Sequence, residues 1–217
     1  MKQTMTTPRQ EELMEQKFRD AINTIVPSAQ LHAKWLNSLS LMENTGARKI
    51  SRYEDPIKTN IIVLKHAAEE ARHAYYLKKQ IEKLIPAGYP DYASEYLLAP
   101  ATSSRYLYKL DIAACRYLKT KFGLKDRDLF HGAYLLVTYA IEVRADLLYG
   151  IYQEALTQHH SKVNVKSIIA EEEGHLEEMT RMLQDFHPEW QLLANDMIAI
   201  EKKLFSEWIH DIAKSIS

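Results

Sequence analysis

The chain has 217 residues, with 28 Lys+Arg against 29 Asp+Glu; the net charge of −1 removes the broad positive field of a general DNA or RNA binder. Hydrophobic residues make up 46% and charged residues 26%, a globular rather than disordered mix, and one cysteine, Cys115, excludes an internal disulfide and a cysteine-rich zinc or iron–sulfur site. Six glycines and seven prolines leave few helix breakers, so the elements should be long, and the lone thiol fits a reduced, cytoplasmic setting.

The first 25 residues carry charges every few positions and no apolar core, so they do not read as a secretory signal. A first helix is predicted over Pro8 to Ile25, with Thr7 and Pro8 as cap and first-turn residues. A second runs from Ser28 to Tyr53, and a third from Pro56 to Ile85. Along the third, Val63, Ala67, Ala74, Leu77, Ile81 and Leu84 recur at helical spacing on one face. The clearest break is Pro86-Ala87-Gly88-Tyr89-Pro90, with a turn-rich stretch reaching to Ser104. Helices follow over Ser104 to Lys121, ended by Gly123, over Asp126 to Gln158, over Asn164 to Phe186, and from His187-Pro188 to the C-terminus. No period-two pattern suggests strands. One all-α domain spans 1–217, its core formed by residues 28–85 and 126–186 and its crossover by 86–125.

The 19 residues from Tyr134 to Tyr152 are nearly all apolar or aromatic, but Glu142, Arg144 and Asp146 interrupt them. Three charges at about 2.5–3.5 kcal/mol each argue against a membrane span and for a helix buried inside a bundle.

The two long-helix pairs carry one pattern twice. Glu70-x-x-His73 lies in the first pair and Glu172-x-x-His175 in the second, each placing a carboxylate and an imidazole on one helix face. With 19 Glu and 9 His in the chain, chance alone supplies about one Glu-x-x-His, and Glu207-x-x-His210 is a third. Context separates them. Glu70 and His73 continue the apolar face of their helix, and Glu172 and His175 share a face with Val165, Ile168, Ile169, Leu176, Met179 and Met182. Carboxylates and imidazoles aimed into a core cost several kcal/mol unless paired or metal-bound. The preceding helix of each pair adds one acid. Glu43 is the only acid between Ser28 and Arg52, and Glu142 lies in the most apolar helix. Separations of 27 residues from Glu43 to Glu70 and 30 from Glu142 to Glu172 put each pair at one height in a helical hairpin.

The set Glu43, Glu70, His73, Glu142, Glu172 and His175 resembles the ferritin-like di-iron-carboxylate superfamily, whose pattern is Glu followed by Glu-x-x-His, repeated once in a four-helix bundle. The resemblance covers residues 28–186. It implies a ferritin-like four-helix bundle with a long crossover and additional helices. It implies two iron ions (or an iron–manganese or manganese pair), with Glu70 and Glu172 bridging, Glu43 and Glu142 terminal, and one histidine on each metal. The activity implied is an oxygenase or oxidase using dioxygen on a small organic substrate, with an external electron donor; a homodimer fits, and no nucleic-acid or membrane partner is expected. Competing readings are a ferroxidase or peroxide scavenger of ferritin or rubrerythrin type, and a non-catalytic helical interaction protein.

Neighbouring residues carry weaker signals. Glu69 and Glu171 precede the ligand glutamates, and the Glu69–His73 string resembles the Asp-Glu-x-Arg-His string of bacterial multicomponent monooxygenases, whose leading acid orients a histidine. They read either so or as solvated acids. Asp146 follows Glu142 by one turn, either bonding a ligand histidine or pairing with Arg72 or Arg48. His66 precedes Glu70 by one turn as a third histidine on that face, more in keeping with a core role than a ligand. Ser40, Gly46 and Ala47 flank Glu43 and leave either a pocket or close helix packing. Tyr134, Thr138 and Tyr139 surround Glu142. The acidic run Glu171 to Glu178 otherwise reads as a solvated face.

Overall fold

Local signals set several helix boundaries in the computed structural model, which describes residues 8–53, 57 and 60–217. Helix α1 is Pro8–Ile25 and α2 is Ala29–Ser51, the latter capped by the Ser28 hydroxyl accepting from the Leu31 amide. Helix α3 is Ile61–Ile81. It starts later than predicted because the Asn60 side chain accepts from the Ile62 amide at 2.9 Å and begins the helix there; Thr7 and Pro56 lie outside the described residues. It also stops earlier, and residues up to Ile85 continue as turns bonded back to Ile81.

Helix α4 is Pro100–Phe122, four residues earlier at its start than Ser104. Proline at the first helical position is the signal, and the buried Leu98 carbonyl, accepting from Ser103 Oγ at 2.8 Å, anchors the entry. The preceding stretch contains one short 3-10 turn, Ser94–Tyr96. Gly123 ends α4 at φ 65°, the left-handed cap that glycine allows. Helix α5 is Asp126–Gln158, α6 is Lys166–Phe186 and α7 is Trp190–Ile216. Among the described residues there is no strand, and no helix is long and apolar enough to cross a membrane.

Helix α2 packs chiefly on α3 and α5 on α6, while α4 lies against α5 and α7, and α7 reaches α1. Contacts run antiparallel within the pairs: Ser40 meets Ala74 while Gly46 meets Glu70, and Glu142 faces His175 while Gln153 faces Val165. Helices α3 and α6 touch mainly through side chains. Their rungs are His66–Glu178, Glu69–His175 and His73–Glu171, and Tyr76 bonds Asn164 just before α6 begins.

Two apolar cores result. One gathers Phe18, Trp35, Tyr152 and Trp208; the other gathers Leu110, Leu136, Met179 and Met197. Four helices contribute to both. Leu39 and Ile50 on α2, Leu77 and Val63 on α3, Leu148 and Leu136 on α5, and Ile168 and Met179 on α6 belong to opposite cores. In each helix the predicted ligands fall between these residues, so they form a polar layer between two apolar ones.

Candidate metal centre

All six residues singled out by the repeated pattern come together in that layer. Glu43 projects from α2, Glu70 and His73 from α3, Glu142 from α5, and Glu172 and His175 from α6. On α3 the buried positions are Val63, His66, Ala67, Glu70, His73, Ala74 and Leu77, so helix periodicity leaves the polar groups no outward path. Glu70, His73, Glu142, Glu172 and His175 are all buried, with Glu142 only 2% exposed.

Glu172 is the centre of the arrangement. One carboxylate oxygen lies 3.2 Å from His73 Nδ1 and the other 3.2 Å from His175 Nδ1. His73 Nδ1 is also 3.9 Å from Glu43, and His175 Nδ1 is 3.6 Å from Glu142. Two sets of potential ligand atoms each lie within 4.8 Å of one another: Glu43 with His73 and Glu172, and Glu70 with Glu172 and His175. Glu172 belongs to both. Glu70 belongs to one, which departs from the symmetrical pair of bridges the resemblance implies.

Burial and mutual proximity perturb every ionisable group of this layer. Burial raises the Glu70 and Glu142 carboxyls well above their ordinary range, and the neighbouring charges of Glu43 and Glu172 respectively push them further. Burial also raises Glu43. Burial alone would lower the histidines, but nearby carboxylates override it, holding His73 up to about 9 and His175 up to about 11. Glu172, between those two imidazoles, is held below its ordinary range although burial opposes this. His73 Nδ1 and Glu142 Oε2 remain buried with no hydrogen-bond partner. Oxygen and imidazole donors of this kind suit iron or manganese, and two divalent ions would balance four carboxylates, so the residues fit such a pair.

The outward nitrogens of both histidines are held crosswise. His73 Nε2 lies 2.8 Å from Glu171, and His175 Nε2 lies 2.7 Å from Glu69. Each glutamate thus serves the histidine of the opposite helix pair. Arg72 grips Glu171 through two bonds of 2.7 and 2.8 Å. His66 Nε2 bonds Glu178 at 2.8 Å and its ring lies 4.7 Å from that of His175, so it is a neighbour of the cluster and not one of its ligand sets. The acidic run is accordingly not a simple solvated face, since Glu171 and Glu178 turn back onto buried histidines.

Other readings are corrected. Asp146 is exposed and does not reach the histidines, because it lies toward the solvent side of α5. Arg144, two residues after Glu142, pairs with Glu201 of α7 at 2.8 and 2.7 Å. Arg72 pairs with Glu171. Ser40 is spent on packing, donating to the Ala74 carbonyl at 2.7 Å. Gly46 has a different part: a Cβ there would lie 3.0 Å from a Glu70 oxygen. Glu207 bonds Lys109 and His210 is exposed, so the third Glu-x-x-His lies outside the core.

Tyr149 was not singled out by the pattern. Its hydroxyl donates to Glu43 Oε1 from a fully buried position, and burial together with the Glu43 charge raises it well above the ordinary tyrosine range. It follows Glu142 by seven residues, two turns on the same face, which is the signal that marks it. A cavity enclosing about 80 Å³ reaches this layer between α2, α4, α5 and α7, with Glu43, Glu70, Glu142 and Tyr149 at its inner end. No protein-family model, curated protein or solved structure matches the chain.

Proposed function

We propose that the chain is a ferritin-like, non-haem di-iron oxidoreductase that uses dioxygen on a small organic substrate. The observation that carries the reading is the layer of four carboxylates and two histidines between the two cores, in which His73 Nδ1 and Glu142 Oε2 are buried and make no hydrogen bond. A charged layer of this kind is costly between two apolar cores unless cations neutralise it. Glu43, His73 and Glu172 would hold one ion, and Glu70, Glu172 and His175 the other, with Glu142 beside the second set. When bound, the iron pair supplies the electrons that reduce dioxygen, and an external donor restores them.

The chain's own residues set the conditions for that chemistry. Glu69 and Glu171 fix the histidine rings so that Nδ1 faces inward. Tyr149 holds one oxygen of Glu43 by donating its hydroxyl proton into that bond. The two apolar cores exclude bulk water from above and below.

Metal analysis of full-length protein produced with iron tests the reading. About two iron ions per chain are expected, with Glu70→Ala or His175→Ala losing at least one. Folded wild-type protein that takes up no iron overturns it.

A further inference from the structure

We propose that the outer face of α4, from Arg105 to Lys119, docks an acidic surface of another protein. The assignment rests on this helix alone and stands apart from the di-iron reading. Three observations converge.

The first is where the charge sits. Helix α4 carries Arg105, Lys109, Arg116, Lys119 and Lys121 against one acid, Asp111. The whole chain has a net charge of −1, so α4 holds +4 and the remainder −5. Helix α6 has the opposite bias, six acids against two cations. An acidic partner is drawn to one face and repelled by the rest, which steers it into one orientation.

The second is that the outward cations are free. Tyr106, Leu110, Ala114 and Leu118 bury one side of α4, which packs on α5 and α7, and Arg105, Arg116 and Lys119 are exposed on the other. Among the described residues the side chains of these three make no ion pair or hydrogen bond. The one acid of the helix does not serve them. Asp111 is turned toward α2, where it pairs with Lys49 at 2.7 Å and accepts from the Tyr53 hydroxyl at 3.4 Å. Lys109 and Lys121 are spent on Glu207 and Asp196 of α7, each at 3.0 Å.

The third is an apolar centre. Tyr108 is 44% exposed and Ile112 58% exposed, one turn apart, with Arg105 on one side and Arg116 and Lys119 on the other. Steps of three and four residues put all five on one stripe about 21 Å long. Lys49 lies 5.3 Å from the Tyr108 ring centre and steadies that ring. An apolar centre within a charged rim, built with tyrosine and arginine, is the make-up of a protein–protein interface. A duplex phosphate backbone would use the cations but leave Tyr108 and Ile112 without an apolar partner. A bilayer surface needs a wide apolar helix face, which two side chains do not make. The matching surface has carboxylates at both ends and apolar side chains between them.

The test uses the full-length protein and isothermal titration calorimetry. The probes are poly-glutamate, a random glutamate–tyrosine copolymer, duplex DNA and phosphatidylglycerol vesicles. The copolymer should bind at least fivefold more tightly than poly-glutamate, and both should weaken as salt rises. Arg116→Glu with Lys119→Glu should weaken both polymers at least tenfold. Lys17→Glu with Lys166→Glu makes the same charge change at exposed positions outside α4 and should weaken them less than twofold. Tyr108→Ser with Ile112→Ser should bring the copolymer down to the level of poly-glutamate and leave poly-glutamate unchanged. Circular dichroism confirms helix content, and Ile112→Gln replaces the serine pair should that pair unfold. Equal losses from the two charge reversals overturn the proposal, since net charge alone would then explain binding. A copolymer that binds no more tightly than poly-glutamate overturns it too, as does DNA or a vesicle bound as tightly as the copolymer.

Discussion

Glu69 and Glu171 each sit one residue before a buried glutamate, yet each bonds the histidine of the opposite helix pair. On a helix, adjacent residues point about 100° apart, so the leading glutamate cannot follow its neighbour into the layer and leans across the α3–α6 interface instead. By accepting a hydrogen bond from Nε2–H the carboxylate fixes the tautomer, which leaves the inward Nδ1 lone pair available to the proposed metal. Glu69→Gln and Glu171→Gln should each lower iron affinity about 10–100-fold with little loss of fold, measured by competition with a chelator. Glu171 also carries the Arg72 bonds, so its variant should show the larger fall in thermal stability. Gly46 belongs to the same scale. A methyl group 3.0 Å from the Glu70 oxygen forces that carboxylate to move, and Gly46→Ala should weaken iron retention about tenfold by the same chelator assay. The six-residue pattern was legible because acids are rare on α2 and α5, where Glu43 and Glu142 stand among apolar neighbours. Tyr149 was not, because one tyrosine among 13 carries no label; Glu69 and Glu171 were legible as acids that could orient a histidine, but which histidine each holds depends on how two distant helices pack.

At the level of helices, periodicity recovered the order and ends of α1, α5 and α6 closely, whereas α3 and α4 began elsewhere. Both misplacements occur where a single side-chain or proline signal competes with a plausible alternative: Asn60 against Pro56, and Pro100 against Ser104. The tie between α5 and α7 was hidden for another reason. Arg144 and Glu201 are 57 residues apart, and neither residue type suggests burial. Together with Tyr106, whose hydroxyl donates to Glu201, they form a buried neutral unit that fixes the rotation of α7 against the cavity. Removing one member leaves the other charge buried alone. Arg144→Met should therefore destabilise by about 3–5 kcal/mol, while Arg144→Met with Glu201→Leu should recover most of the loss. Denaturant unfolding of the two single variants and the double variant gives the coupling directly. Additive losses would show that the pair does not act as a unit.

The molecule as a whole is a polar layer between two apolar cores, and the layer and one core respond to pH in opposite senses. The all-helical class follows from composition, since few breakers and unbroken 3.6-residue periodicity leave no room for strands; how α1, α4 and α7 cover the two helix pairs does not, because their apolar faces could pair in several ways. The core built around Trp35 and Tyr152 contains His32, which is fully buried and bonded through Nε2 to the Tyr152 hydroxyl at 2.5 Å. Burial lowers this histidine from 6.5 to about 4. Between those values the unfolded chain takes up a proton that the folded chain refuses, so folding stability falls as pH drops through this window and is unaffected above it. The loss from this one residue is up to about 3 kcal/mol, with a slope approaching about 1.4 kcal/mol per pH unit near pH 5. Glu70 and Glu142 act in the opposite sense, because carboxyls raised in the folded state bind protons more tightly there than in the unfolded chain. Comparison with His32→Gln separates the two effects. The variant should be less stable than wild type at pH 7, and the gap should close by about 2–3 kcal/mol on going to pH 4.5, measured by denaturant unfolding of metal-free protein at fixed ionic strength. A gap that stays constant across that range would mean His32 does not titrate differently in the folded and unfolded chains.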